Sequence, residues 1–313
     1  METEPAPLLF DSGFLAKLEQ LHLLSRRAFR GANRADRPTR QIGTSLEFAD
    51  FRNYAAGDDL RTIDWNIYGR LDRLFVKLFE QEQDLHVYFL LDASASMRWR
   101  PGEGPHGLTR GAARPRPTKF DQMRHIAASL TYIALANLDR AKLLWFGASL
   151  GKSSPMSRGK AQFHEMLDFL RHPPDLQGGT ELRLSMRSFI QQTRRRGLVF
   201  VLSDFFDPAG FEEPLALLQY EQFDVQVIHV LDPLELDPGA TGDLRLSEPE
   251  SGTALEVTAD SALLSRYRSE MQGFVRSLSE HCRKRGIAYA QASTATPFED
   301  LALRVLRDGM ILK

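Results

Sequence analysis

The chain has 313 residues, with 40 Lys and Arg against 41 Asp and Glu and a formal net charge of −1, so no global attraction to nucleic acid or anionic lipid is expected. Its single cysteine, Cys282, excludes an internal disulfide framework, and 42% apolar residues support a sizeable core in one large domain plus an appendage, or in two domains. No run approaches 18 apolar residues, and the acidic start Met1-Glu2-Thr3-Glu4 lacks the basic and apolar regions of a secretory signal. A cytoplasmic protein with no membrane span is therefore expected.

Residues 11–30 read as an amphipathic helix, with Phe14, Leu15, Leu18, Leu21 and Leu24 at helical spacing. Residues 26–40 hold six arginines and one acid, Asp36. A solvated connector, a docking surface for an acidic partner and a nucleic-acid contact are the three readings of that segment. Little aromatic interleaving, beyond Phe29, counts against the last. Residues 44–84 look β-rich and irregular. Within them the alternating run from Phe75 to Gln81 is expected to pair with the next strand as a hairpin, or to cap it. Trp65 is expected to fill a core between the N-terminal part and the sheet, with Asp58, Asp59 and Asp64 neutralising Arg52, Arg61 and Arg70; a recognition surface is the alternative. This places an N-terminal extension at 1–84 and the main domain at 85–313.

The run His86-Val87-Tyr88-Phe89-Leu90-Leu91 reads as a strand buried on both faces, and it ends on Asp92, followed by Ser94 and Ser96. In open α/β sheets ligands sit just beyond the carboxyl ends of such strands. Asp92, Ser94 and Ser96 offer hard oxygens only, which suits magnesium or manganese rather than zinc or copper. Residues 101–118 carry four glycines and four prolines and read as a mobile loop. A helix follows at 119–138, with Thr118 and Asp121 as a capping pair and a buried face of Phe120, Met123, Ala127, Leu130, Ala134 and Leu138. Lys142 to Phe146 is the next strand.

Gly147-Ala148-Ser149-Leu150-Gly151-Lys152-Ser153 resembles a phosphate-binding loop, but only three residues separate its glycines and Pro155 follows at once. A hairpin turn is the expectation there. Helices are expected at 160–171 and 181–196, the second opened by Gly178-Gly179-Thr180 and ended by Gly197, with Arg194, Arg195 and Arg196 in its last turn to complement the helix dipole. Leu198 to Ser203 is a second apolar strand ending on an acid, Asp204. A short helical segment, a strand at 225–230, a β excursion at about 232–258, a helix at 260–285, a strand at 287–290 and a helix near 298–308 complete the chain. Strands alternating with helices predict an α/β fold with a mostly parallel sheet and helices on both faces.

Asp-x-Ser-x-Ser, a distant Thr180 and a distant Asp204, in that order, resemble the metal-ion-dependent adhesion site of von Willebrand factor A domains. The resemblance implies Mg2+ or Mn2+ held directly by Ser94, Ser96 and Thr180. Asp92 and Asp204 would act mainly through water and hydrogen bonds, with a sixth position left for water or a partner's carboxylate. The stretch from Glu47 to Asn66 is similar to the signature of the bacterial domain of unknown function 58 family. So are Phe79-Glu80-Gln81-Glu82, Lys119-Phe120-Asp121 and Asp232-Pro233-Leu234-Glu235. Glu248-Pro249-Glu250 departs from the family pattern, where an Asp more often comes first. That resemblance implies a von Willebrand factor A-like, Rossmann-like domain encoded beside MoxR-type AAA+ ATPases.

Binding rather than catalysis is therefore expected: a metal-dependent adaptor or co-chaperone linking a MoxR-type AAA+ ATPase to a client protein. Two other classes remain open at this stage. One is a magnesium phosphohydrolase using Asp92 as nucleophile, although Ser94 stands where such enzymes carry a second acid. The other is a nucleic-acid adaptor acting through residues 26–40. His86 and His229 are expected to be structural rather than ligands.

Overall fold

A computed structural model describes residues 10, 12–31, 42–55, 58–80, 85–98, 117–174, 178–239, 242–247 and 254–310. The chain divides into two compact units, residues 1–31 with 85–313, and residues 32–84. Most of the loop expected at 101–118 and most of the arginine-rich segment lie outside the described residues. No described helix is long and apolar enough to cross a membrane.

Helix α1 (Ser12–Gly31) belongs to the larger unit, so the division is not the simple one expected at residue 84. Phe14, Leu18 and Leu21, at i, i+4 and i+7, bury its apolar stripe in that unit's core. The smaller unit pairs β1 (Ile42–Asn53) with β2 (Phe75–Glu80) in antiparallel register, Phe48 opposite Phe79. A 3-10 turn at Leu60–Thr62 and helix α2 (Trp65–Leu71) are started by Asp59 and Asp64, whose side chains accept from the backbone N–H of Arg61 and of Asn66 and Ile67. Asp58 pairs with Arg52 at 2.7 Å, as expected. Trp65 does not fill a core: it opens α2 and is 61% exposed, while Ile63 and Val76 are buried.

The larger unit is built on a seven-stranded sheet. Its strands are β3 (His86–Asp92), β4 (Arg140–Phe146), β5 (Leu150–Ser153), β6 (Ser157–Arg158), β7 (Leu198–Ser203), β8 (Asp224–Leu231) and, after a separate hairpin of β9 (Gly242–Ser247) and β10 (Ala254–Ala259), β11 (Ala288–Ser293). The order is β11-β8-β7-β3-β4-β5, with β6 also on β4. All pairings among β11, β8, β7, β3 and β4 are parallel, and β5 and β6 run antiparallel to β4. Both edges of β3 are taken by β4 and β7, which is why β2 pairs with β1 instead. The β4–β5 turn is a hairpin, as expected for the sequence that resembles a phosphate loop.

Alternate residues of β3 feed two cores. Val87, Phe89 and Leu91 join α1, α3 (Lys119–Ala136), α4 (Phe163–Arg171) and α9 (Phe298–Met310) on one face. Tyr88 and Leu90 join α5 (Leu182–Gln192), α6 (Glu212–Tyr220) and α8 (Ser261–Arg285) on the other. Each such fully buried side chain is worth about 1.5–3 kcal/mol relative to exposure. Thr118 and Asp121 form the expected capping box on α3. Leu138 lies beyond that helix at φ +64° and is exposed rather than part of the buried face. Helix α5 ends at Gln192, so the three arginines lie past its last turn. There Arg196 pairs with Glu221 at 2.6 Å and covers the Phe223 ring.

The winding sets the position of any site. β3 leads through α3 to β4 on one side, and β7 leads through α6 to β8 on the other. Since α3 and α6 cover opposite faces, the connections diverge between the carboxyl ends of β3 and β7, the crevice where open α/β sheets bind ligands.

Two outcomes follow from this packing. A Cβ on Gly197 would lie 2.1 Å from the carbonyl oxygen of His86, a contact with backbone that cannot swing aside. Gly197→Ala is expected to cost about 2 kcal/mol or more and to lower the melting temperature by several degrees in a thermal scan. Cys282 is fully buried, and burial pushes its thiol up to about 12. At pH 8 the folded protein should leave a disulfide-exchange reagent unreacted over minutes, and one thiol should titrate on denaturation.

Candidate metal centre

Asp92, Ser94, Thr180 and Asp204 come from three loops and all lie buried at the diverging strand ends. Asp92 is the last residue of β3. One of its oxygens accepts from the Ser94 N–H at 2.9 Å, which bends the chain back so that the Ser94 and Ser96 hydroxyls meet at 3.0 Å. The other accepts from the Thr180 hydroxyl at 3.3 Å and the Ser203 hydroxyl at 2.5 Å. Thr180 is held by its neighbours: Gly178 takes φ +102° and its carbonyl accepts from Ala95 N–H at 3.5 Å, while Glu181 N–H donates to the Gly147 carbonyl at 2.9 Å. The structure thus joins Asp92, Ser94, Ser96 and Thr180 in one connected set of contacts.

Asp204 follows β7. One oxygen accepts from the Phe206 N–H at 3.2 Å, and the other from the Lys119 ammonium at 2.6 Å. Its backbone carbonyl accepts from His229 Nε2 at 3.1 Å, which fixes the tautomer. Nδ1 must then be the acceptor for the Tyr289 hydroxyl at 2.9 Å. Burial lowers His229 to about 4, so it is neutral and structural, as expected. Burial first, and the charge of Asp204 second, push Asp92 up to about 7, while the hydroxyl and backbone donors around it oppose that rise.

These residues fit a hard divalent cation. The set offers two carboxylates and three hydroxyls and no nitrogen or sulfur ligand. A Thr180 hydroxyl that spends its proton on Asp92 presents only lone pairs elsewhere, which is the state a metal ligand needs. A cation would also offset both causes that raise Asp92. No group of three or more His, Cys, Asp or Glu side chains is placed to hold a metal among the described residues, so this hydroxyl-rich set differs from a carboxylate or histidine cage.

Three residues of the centre were not singled out from the sequence as site residues. Ser203, the last residue of β7, bridges Asp92 and the Phe205 N–H, which it accepts at 2.8 Å. Lys119 is 1% exposed and joins Asp204 to Glu235, which it meets at 2.5 Å. Glu235 sits in α7 (Pro233–Leu236), where it also caps the helix by accepting from Asp232 N–H. The available signal was the pair of segments Lys119-Phe120-Asp121 and Asp232-Pro233-Leu234-Glu235, which carry these residues 116 positions apart.

An uncharacterized protein of Mycobacterium tuberculosis, Rv1480, is 26% identical over 302 residues, spanning 96% of this chain and 87% of that protein. Among solved structures, the conserved hypothetical protein BatB from Bacteroides thetaiotaomicron is similar at 10% identity and a TM-score of 0.43, over 72% of this chain and 96% of that one. An aerotolerance-related membrane protein from Bacteroides fragilis, bearing multiple mutations to serines, is similar at 14% identity and a TM-score of 0.41, over 72% and 98%. Residues 50–273 match the profile of a family described only as a protein of unknown function, DUF58, and it is to this family that the chain belongs.

Proposed function

We propose that this protein is a metal-dependent protein-binding module of the von Willebrand factor A-like kind. On this reading Ser94, Ser96 and Thr180 hold Mg2+ or Mn2+ directly, and Asp92 and Asp204 support it. The observation that carries the proposal is the meeting of Asp92, Ser94, Ser96 and Thr180 at the divergence of the sheet, with the hydroxyls of Ser94 and Ser96 at 3.0 Å and that of Thr180 tied to Asp92. When bound, the metal would supply a Lewis-acidic position for a carboxylate of a partner protein. The chain's own residues do the rest. Asp92 orients Thr180 and the Ser94 backbone, Ser203 fixes Asp92, and His229 fixes the backbone of Asp204.

Binding is favoured over hydrolysis by the state of Asp92. A nucleophile needs an open approach and a free lone pair, whereas Asp92 is 0% exposed and both its oxygens accept hydrogen bonds. Ser94, two residues on, cannot exchange a proton near neutrality as an acid would. The partner we propose is a MoxR-type AAA+ ATPase, with the protein working in the cytoplasm as its adaptor or co-chaperone toward a client.

Thr180→Ala separates this function from folding. Thr180 contributes one long hydrogen bond and sits outside both apolar cores, so stability should fall by no more than about 1–2 kcal/mol in thermal melts. Mn2+ affinity, measured by calorimetry, should fall roughly tenfold or more. Co-purification of the ATPase should be lost in the variant and, for the wild type, in EDTA. Undiminished capture in EDTA by a variant that melts like the wild type would refute the metal-mediated mechanism.

A further inference from the structure

Among the described residues, Lys119 is a charged group buried to 1% exposure. It stands at the first position of α3, where a cation opposes the helix dipole. Two penalties therefore act on it at once. They are met by two carboxylates, Asp204 at 2.6 Å and Glu235 at 2.5 Å, and by the face of Phe206, whose ring centre is 5.1 Å from the ammonium. The ammonium is thus held by the same Asp204 carboxylate that belongs to the candidate metal centre. The other oxygen of Asp204 is already taken by the Phe206 N–H. A cation held by Ser94, Ser96 and Thr180 with Asp204 in support would share that carboxylate with a fixed positive charge.

Lys119 sets one fixed positive charge among the carboxylates of Asp92, Asp204 and Glu235. An apolar residue at 119 would leave the cluster one unit more negative and so more attractive to a divalent cation. A neutral residue at 235 would leave it one unit less negative. In a site this buried, unit charges a few ångströms apart interact far more strongly than in water.

We propose that Lys119 is a positioning residue that acts through Asp204 as a resident counter-cation. It holds the Asp204 side of the centre and keeps the affinity for a divalent metal low enough for the metal to exchange. The proposal rests on the metal-binding reading above and goes beyond it, because it assigns Lys119 and Glu235 opposite effects on the same affinity.

The test is Mn2+ titration by calorimetry of the full chain as wild type, Lys119→Met and Glu235→Gln, with far-ultraviolet circular dichroism and a thermal melt for each. Lys119→Met should bind Mn2+ tighter than wild type by roughly tenfold or more, despite melting lower. Glu235→Gln should bind it weaker by about threefold or more. Structural damage lowers affinity, so a gain in the less stable variant is the signature that a merely structural lysine would not produce. Folded Lys119→Met with unchanged or weaker affinity would overturn the proposal while leaving the metal reading intact. If Lys119→Met does not fold, Lys119→Gln, which keeps a polar group between Asp204 and Glu235 without the charge, takes its place: tighter binding supports the proposal, and equal or weaker binding overturns it. Binding by Lys119→Met alone, with none by wild type, would overturn the proposal, because the lysine would then replace the metal rather than tune its affinity. Absence of Mn2+ binding in all three proteins would remove the metal reading and the proposal together.

Discussion

A carboxylate with no exposed surface is stable at the end of a central strand only if its lone pairs are filled, and Asp92 fills them from three separate segments of chain. The Ser94 N–H closes the loop after β3, the Thr180 hydroxyl brings in the start of α5, and the Ser203 hydroxyl brings in the end of β7. Each bond serves two ends. It keeps a buried charge tolerable, and it delivers a hydroxyl-bearing loop to one place. Loss of Asp92 would therefore free three loops at once, whereas loss of any one donor leaves the other two in position.

The second charged layer is arranged around Asp204 by the same logic at longer range. Lys119 arrives from the start of α3 and Glu235 from α7, so the ion-paired cluster ties the connections after β3, β7 and β8 into one body. A buried ion pair of this kind is poor evidence for stability, because desolvation offsets much of the Coulomb attraction. Its persistence at a strand divergence, with a lysine set against a helix dipole, is the kind of local conflict that marks functional positions.

Much of this was legible in the residue pattern, and what was not has a physical reason. Strands β3 and β7 announce themselves as apolar runs ending on Asp92 and in the pair Ser203-Asp204, and the Thr118/Asp121 cap fixes the start of α3 to the residue. Thr180 could be found because a glycine pair before a hydroxyl and an apolar helix is a local signal. Lys119 and Glu235 could not be assigned their roles, since a salt bridge across 116 residues leaves no spacing to read. Ser203 was missed because a serine at the last position of a strand usually means only that the strand ends there. Trp65 misled because an aromatic residue is expected to be buried, while its place at the first turn of α2 turns it outward. Leu138 and Arg194 to Arg196 misled because periodicity does not report where a helix stops: a residue at φ +64° closes α3, and α5 ends four residues short of Arg196.

The separation between core and centre bears on what a metal could do here. Two apolar clusters, one on each face of the sheet, already hold β3 and β7 in register, and neither includes Ser94, Ser96, Thr180 or Asp204. In small metal-stapled domains the binding energy of the metal is the folding energy, so occupancy cannot vary without unfolding the chain. A fold whose strands are fixed by burial has no such constraint. Its centre is free to fill and empty, and a ligand that binds only the filled state then follows the metal by mass action. On this reading the buried hydroxyls are held in place by Asp92, the charge at the centre is trimmed by Lys119, and metal occupancy becomes a condition for partner binding rather than a condition for the fold.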